Sequence, residues 1–138
     1  SEAERLLKLL GGAFKGQPLP YIPPLAWNLL NPFSSKVLEA TMNIPRGFVT
    51  TYGGLARALK LPRHARAVGR ALASNPFALI VPCHRVVKGD LTLGGYAFGV
   101  DVKAEILRRE GVKLEKMGDS FRVKPEFLLP WRKLVGKV

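Results

Sequence analysis

The apolar positions of the chain fall into short runs, most of them at the three-and-four-residue spacing that lines one face of an α-helix. The first run, Leu6, Leu7, Leu9 and Leu10, follows Ser1-Glu2-Ala3-Glu4, whose Ser-x-x-Glu form is that of a capping box. It predicts a short amphipathic helix ended by Gly11-Gly12. Pro18, Pro20, Pro23, Pro24 and Pro32 then fix φ and remove amide donors, so residues 16–32 read as an extended connector. A second run, Val37, Leu38, Ala40, Thr41 and Ile44, predicts a helix capped by Ser34 or Ser35 and stopped by Pro45-Arg46-Gly47. Thr51 can cap a third helix through Leu59, with Leu55, Ala58 and Leu59 on its inner side. The turn Lys60-Leu61-Pro62 leads into a fourth over 65–74, and two short helices joined by a tight turn suggest a helix-turn-helix.

Beyond Asn75-Pro76 the period changes. An apolar run at 78–81 leads into Pro82-Cys83-His84-Arg85. Val86-Val87 and Leu91-Thr92-Leu93, placed around Lys88-Gly89-Asp90, then read as a small hairpin or wing. Asp101 can cap a further helix through Glu110, closed by Gly111, with Val102, Ile106 and Leu107 facing inward. A second hairpin is expected within 112–123 about Gly118-Asp119. The fold class is α+β, mainly α: a winged helix-turn-helix core with one or two short hairpins.

Composition supports one folded core. The chain has 138 residues, 47% of them hydrophobic, so it can bury enough apolar surface to offset the entropy of ordering. Its longest apolar runs, such as 77–82, fall well short of the roughly 20 residues that cross a bilayer, and no signal-peptide pattern opens it. The expectation is a soluble, cytoplasmic monomer without a membrane partner. Twenty-two Lys and Arg against ten Asp and Glu leave +12 at neutral pH, which makes nucleic acid the leading partner, ahead of an acidic membrane surface. A single Cys forms no internal disulfide, and one Cys with two His does not fill a four-ligand structural zinc site without carboxylates at suitable spacing, so no metal is expected.

Two places carry candidate chemistry. In the helix at 65–74, Arg66 and Arg70 lie four apart on one face while Ala65, Ala67, Gly69, Ala71 and Ala73 are all small. An ordinary helix, about 10 to 12 Å across, is too wide for a minor groove of about 6 Å; small residues around an arginine relax that limit. The alternative is tight helix packing with solvated arginines. At Cys83, Pro82 fixes the chain ahead, and His84-Arg85 place a titratable base and a permanent positive charge beside the thiol, both of which favour thiolate. Because neighbouring side chains in extended backbone point opposite ways, His84 is expected to act through a water or around a turn, with a carboxylate behind the imidazole to orient it.

Pro82-Cys83-His84-Arg85-Val86 closely resembles the PCHRV signature of the O6-alkylguanine-DNA alkyltransferases, also called methylated-DNA–protein-cysteine methyltransferases. The likeness extends, in family order and with similar spacing, through Thr51-Tyr52-Gly53-Gly54-Leu55-Ala56, Ala65-Arg66-Ala67-Val68-Gly69, Asn75-Pro76, Gly94-Gly95-Tyr96, Lys103 and Glu110-Gly111. It divides the chain into residues 1–32, a helix and connector resembling the end of the family's N-terminal domain; 33–115, a helix-turn-helix alkyltransferase domain; and 116–138, a C-terminal extension. The sheet-forming part of the N-terminal domain has no counterpart in the sequence.

The resemblance implies a suicide transfer of an alkyl group from O6-alkylguanine, with O4-alkylthymine as a second substrate, in double-stranded DNA. Cys83 would be the acceptor, His84 the base acting through water, Glu110 the carboxylate orienting it, and Asn75 the brace of the active-site loop. Arg66 would replace the flipped nucleotide in the stack and Tyr52 would rotate its phosphate. Thr51, Ala65, Ala67, Gly69 and Arg70 would complete the DNA contact. Tyr52, Val86, Gly94, Gly95, Tyr96, Ala97 and Lys103 would form the pocket, with the carbonyls of Cys83 and Val86 reading the guanine amino group. Ala97 and Phe98 depart from the family, which carries a serine and a smaller or different residue there in many members. Trp131-Arg132-Lys133 reads as an anchor for the C-terminus in preference to a DNA-facing tail. Competing readings are a lesion sensor without an acceptor, against which Cys83 argues, a winged-helix regulator with an incidental cysteine, and a thiol hydrolase, which leaves Arg66 without a role.

Overall fold

The computed structural model describes residues 2–21, 30–77 and 79–135. Ser1 of the expected capping box, residues 22–29 of the expected connector with Pro23 and Pro24, Ala78 of the apolar run, and residues 136–138 lie outside the described residues. The first helix, α1 (Glu2–Phe14), runs through Gly11-Gly12 instead of stopping there. It ends at Gly16, whose φ of 81° supplies the left-handed turn. The Gly16 amide donates to the Ala13 carbonyl at 3.0 Å and the Gln17 amide to the Gly12 carbonyl at 2.9 Å, the crossed pair of a glycine cap. A glycine inside a helix costs about 1 kcal/mol, which burial of Leu9 and Ala13 offsets.

Helix α2 (Pro32–Thr41) starts ahead of the expected Ser34 or Ser35 cap. Asn31 caps it, its Oδ1 accepting the Ser34 amide at 2.8 Å, and Pro32 takes the first position, where no amide donor is missed. Ile44 was expected in this helix; it is buried beyond its end, carried inward by the turn that follows. β1 (Thr50–Thr51) runs directly into α3 (Tyr52–Ala58), whose cap is Thr51, with Oγ1 accepting the Gly54 amide at 2.9 Å. α4 (Ala65–Ala73) follows and packs on both α2 and α3. Val37, Leu38, Leu55, Val68, Leu72 and Val81 fill the space between them, each fully buried side chain contributing about 1.5–3 kcal/mol.

A short 3-10 turn, Cys83–Arg85, leads into β2 (Val86–Val87). The expected hairpin between Val86-Val87 and Leu91-Thr92-Leu93 closes only at its tip, where the Lys88 amide donates to the Thr92 carbonyl at 2.9 Å. Its tip is a turn, with the Leu91 amide on the Lys88 carbonyl at 2.8 Å, but β2 pairs in parallel with β1, Thr50 opposite Val86 and Thr51 opposite Val87. Residues 91–93 lie instead along β4 (Ser120–Val123), with Thr92 bridging Arg122. Val86, Val87 and Leu93 are all fully buried, and a lone two-stranded hairpin leaves one face of such residues in water. The second expected hairpin is present: β3 (Leu114–Met117) pairs with β4 antiparallel about Gly118-Asp119.

Helix α5 (Val100–Arg109) is capped by Gly99, at φ 97°, and not by Asp101, which sits in its first turn where a carboxylate suits the helix dipole. Glu110 follows as the C-cap, and Gly111, at φ 94°, closes the helix in the same crossed pattern as α1. The boundary expected after residue 115 falls inside β3. Downstream of it, the Leu129 amide donates to the Val49 carbonyl at 2.8 Å, and α6 (Arg132–Val135) lays fully buried Leu134 against α3. Trp131 is half-buried beside Gly54, with the Arg132 guanidinium 5.3 Å from its ring centre.

Candidate active site

Cys83 opens the 3-10 turn that β2 terminates, and its thiol reaches a cavity of about 350 Å³ lined by Tyr52, Gly69, Leu72, Ala73, Asn75, Gly95, Tyr96 and Ala97. The turn is held from both ends. Upstream, Asn75 ties down the loop after α4: its Oδ1 accepts the Phe77 amide at 2.8 Å and its Nδ2 reaches the Val81 carbonyl at 3.4 Å. Downstream, the Val86 amide closes on the Cys83 carbonyl. Parallel pairing of β2 with β1 then fixes the turn relative to α3.

Behind the cysteine lies a buried polar chain. His84 is 1% exposed and Glu110 6%. Burial pushes the Glu110 carboxyl up, but hydrogen bonds from Arg85 and His84 outweigh it and hold the group at about 2. Arg85 grips that carboxylate with two nitrogens, Nε to Oε1 at 2.9 Å and Nη2 to Oε2 at 2.6 Å, while its Nη1 donates to the Ile44 carbonyl at 2.8 Å. His84 Nε2 stands 3.2 Å from Oε1. An ionised carboxylate only accepts, so Nε2 carries the proton. Burial lowers the imidazole's pKa and keeps it neutral, leaving Nδ1 as a buried acceptor with no hydrogen-bond partner among the described residues.

This geometry corrects the expectation that His84 and Arg85 both favour thiolate. Burial pushes the Cys83 thiol up, and the influences that pull it down are Asn75, the Lys103 ammonium and the backbone amides of Cys83 and His84, not the imidazole or the Arg85 guanidinium. The 3-10 turn points the guanidinium at Glu110. At rest the thiol and the imidazole are both neutral.

Lys103 is fully buried. Its Nζ donates to the carbonyls of Val86 (2.7 Å), Leu93 (2.5 Å) and Gly95 (3.2 Å), stapling β2 to the loop that carries Tyr96. Burial brings the ammonium down to about 8, against the opposing pull of Cys83. The Val86 carbonyl, expected to read the base, therefore already serves Lys103 with one lone pair. Gly94, at φ 72°, lets the loop pass Tyr52: a Cβ there would stand 3.2 Å from the Tyr52 hydroxyl. Burial raises the Tyr52 and Tyr96 hydroxyls, so both stay protonated, and the Tyr96 Oη is buried without a hydrogen-bond partner among the described residues. Tyr96 sets its ring edgewise to His84 and to Phe98, which is 58% exposed.

On α4, Arg66, Gly69, Arg70 and Ala73 fall within a sector of roughly 100° at 3.6 residues per turn, with both arginines exposed and Gly69 and Ala73 at the cavity. Ala65 and Ala67 are half-buried, and Ala67 and Arg70 border a second groove against α2. Thr51 spends its hydroxyl on capping α3. The sequence reading missed Arg85 as the clamp of Glu110, the Ile44 carbonyl that anchors it, and Leu72 and Ala73 as cavity wall. Only helical spacing from Gly69 pointed to the last two. Among the described residues no group of three or more Cys, His, Asp or Glu could hold a metal.

Comparison with known proteins places this geometry. Residues 32–112 match the family model described as the 6-O-methylguanine DNA methyltransferase, DNA binding domain. A methylated-DNA–protein-cysteine methyltransferase of Thermococcus gammatolerans is 45% identical over 93 residues, 67% of this chain and 52% of that protein. The bifunctional transcriptional activator/DNA repair enzyme Ada of Escherichia coli is 48% identical over 84 residues, 61% of this chain and 24% of that protein. Among solved structures, Mycobacterium tuberculosis OGT in complex with DNA superposes with a TM-score of 0.69 at 34% identity, covering 78% of this chain and 66% of that one. S. pombe Atl1, in complex with damaged DNA containing O6-carboxymethylguanine, superposes at 0.65 and 31% identity, covering 72% of this chain and 96% of that one. The chain spans about half the length of several relatives it matches. With the match running from the first residue of α2 to the glycine-closed end of α5, the chain belongs to the 6-O-methylguanine DNA methyltransferase family.

Proposed function

We propose that this protein repairs O6-alkylguanine in double-stranded DNA by moving the alkyl group to Cys83 Sγ, once and irreversibly. The observation that carries the reading is the Cys83 thiol facing a cavity with a neutral, Glu110-oriented imidazole behind it. The relatives' names and the DNA held by two structural neighbours support it. Arg66 on exposed α4 fills the stack as the damaged nucleotide turns out, since the reactive carbon is out of reach in a stacked duplex. Tyr52 and Tyr96 flank the base, Gly69 and Ala73 leave room for it, and Thr51, Ala65, Ala67 and Arg70 border the DNA. No cofactor takes part, and the protein acts as a monomer in the cytoplasmic compartment; no helix among the described residues is long and apolar enough to cross a membrane.

The thiol proton passes through a bridging water to His84 Nδ1, and the sulfur attacks the alkyl carbon. The S–C bond forms as the C–O6 bond breaks, its electrons going to the base, and the proton released by the thiol ends on guanine N1. Tyr52, held protonated, donates to the base as negative charge develops. The thioether product has no leaving route, so each molecule reacts once. Intact mass after exposure to an O6-methylguanine duplex tests this: one added methyl, on Cys83, is expected, and Cys83→Ala is expected to bind the lesion and gain none. Repeated turnover, methyl on another residue, or binding by the unaltered protein without transfer overturns the proposal.

A further inference from the structure

We infer that the end of α1 and the loop of residues 44–47 hold the Glu110 carboxylate in register, with Gly16 and Arg46 as positioning residues for the reaction. The inference rests on the function proposed above for its link to transfer. Glu110 lies just past the last turn of α5, where backbone carbonyls lack intrahelical partners and a helix end frays unless held. Its carboxylate must nevertheless keep three hydrogen bonds to His84 and Arg85.

The structure supplies the hold from outside α5. Gly16 backs onto Arg109 so closely that a Cβ would stand 2.7 Å from the Arg109 Cβ and overlap its carbonyl. The Gly16 carbonyl accepts a hydrogen bond from Arg46 Nε. Phe14 meets the Arg109 guanidinium at 4.9 Å from its ring centre. Arg109 is therefore gripped on main chain and side chain by α1, one residue before Glu110.

The 44–47 loop completes the grip. Ile44 offers its carbonyl to Arg85 at 2.8 Å, Arg46 holds Gly16, and Gly47, at φ 90°, backs onto Glu110, where a Cβ would stand 3.5 Å from the Glu110 carbonyl oxygen. One loop thus touches the guanidinium, the residue bearing the carboxylate, and the helix cap pressed against that residue's neighbour. As a sequence it reads only as a helix stop.

The test uses Arg46→Ala and Gly16→Ala, with Arg46→Lys as the conservative variant and Gly11→Ala, which has no atom within 4 Å of the new methyl, as the control on the same helix. Readouts are the single-turnover transfer rate on an O6-methylguanine duplex, the affinity for that duplex, and the ¹⁵N shifts of His84 in DNA-free protein. Misplacing a group that orients a reacting one slows a reaction by about tenfold to about a hundredfold. That loss is expected for Arg46→Ala and Gly16→Ala, with unchanged affinity and altered His84 shifts, while Arg46→Lys recovers most of the rate. His84 shifts and rates matching those of Gly11→Ala overturn the inference, as does a fall in affinity that tracks the fall in rate. Failure of the unaltered protein to transfer methyl would count against the proposed reaction alone, since the His84 shifts report the brace without any transfer.

Discussion

Replacing Glu110 by glutamine keeps the shape of the side chain and removes its charge, which makes it a severe probe of the buried chain behind Cys83. A carboxyl held at about 2, against an ordinary value of 4.5, is stabilised as the ion by about 3 kcal/mol. Breaking a buried ion pair by removing one partner costs about 3 to 5 kcal/mol, and the lower figure suits this site because the Arg85 side chain keeps 15% of its surface in water. A melting temperature lower by about 10 °C is expected. The chemical effect follows from donor count. Oε1 accepts from both Arg85 Nε at 2.9 Å and His84 Nε2 at 3.2 Å, so the glutamine oxygen takes that place and the amide nitrogen is left against Arg85 Nη2. That nitrogen and Nη2 both donate, so the clamp opens, and the imidazole loses its fixed orientation and the negative charge that favours taking the Cys83 proton at Nδ1. Loss of a positioned base slows a reaction by about 10²- to 10⁴-fold. Rapid-quench single-turnover transfer, run well below the variant's melting temperature, measures this, and ¹⁵N shifts of His84 report the tautomer. An unchanged transfer rate in a variant whose melting temperature has fallen would refute the reasoning and leave Glu110 a structural residue only.

Acid stability should decline in two stages. Burial lowers the His84 pKa in the fold, so below the ordinary value of 6.5 the unfolded chain takes up a proton that the fold does not, and stability falls. Glu110, depressed in the fold, contributes stability that is present above 4.5 and is lost as pH falls from there through about 2; urea melts across this range that stay flat would contradict both assignments. Arg66→Ala is expected to slow repair of a paired duplex far more than repair of the same lesion in single-stranded DNA or as a free base, because unstacking costs a few kcal/mol only where the base is paired. Equal slowing on all three would move the stack-filling role to Arg63 or Arg70.

What the sequence made legible was local. Thr51 announces α3 because its hydroxyl caps the amide three residues on, and the hairpin about Gly118-Asp119 needs only its own turn. What it concealed depended on distant partners. Val86-Val87 pairs with Thr50-Thr51 and not with its neighbour, and nothing in either dipeptide marks the other. Gly11-Gly12 is the stronger stop signal on composition, yet α1 ends at Gly16, where the left-handed residue also fits against Arg109. Arg85 misled for a similar reason: a 3-10 turn places successive side chains about 120° apart, so adjacency in sequence to Cys83 became contact with Glu110. The likeness to a known family, and not spacing, gathered Cys83, His84, Glu110, Asn75, Tyr52, Tyr96 and Lys103 into one site.

The parallel ladder of β1 and β2 is only two residues long, yet it joins the residue that caps α3 to the strand that ends the Cys83 turn. The face proposed to meet DNA and the Cys83 thiol are therefore tied to one frame. In the proposed reaction the travelling component is the nucleotide. Selection among damaged sites is then written into the duplex, and a lesion seated in soft, poorly stacked sequence is cleared sooner than the same lesion in a stiff tract.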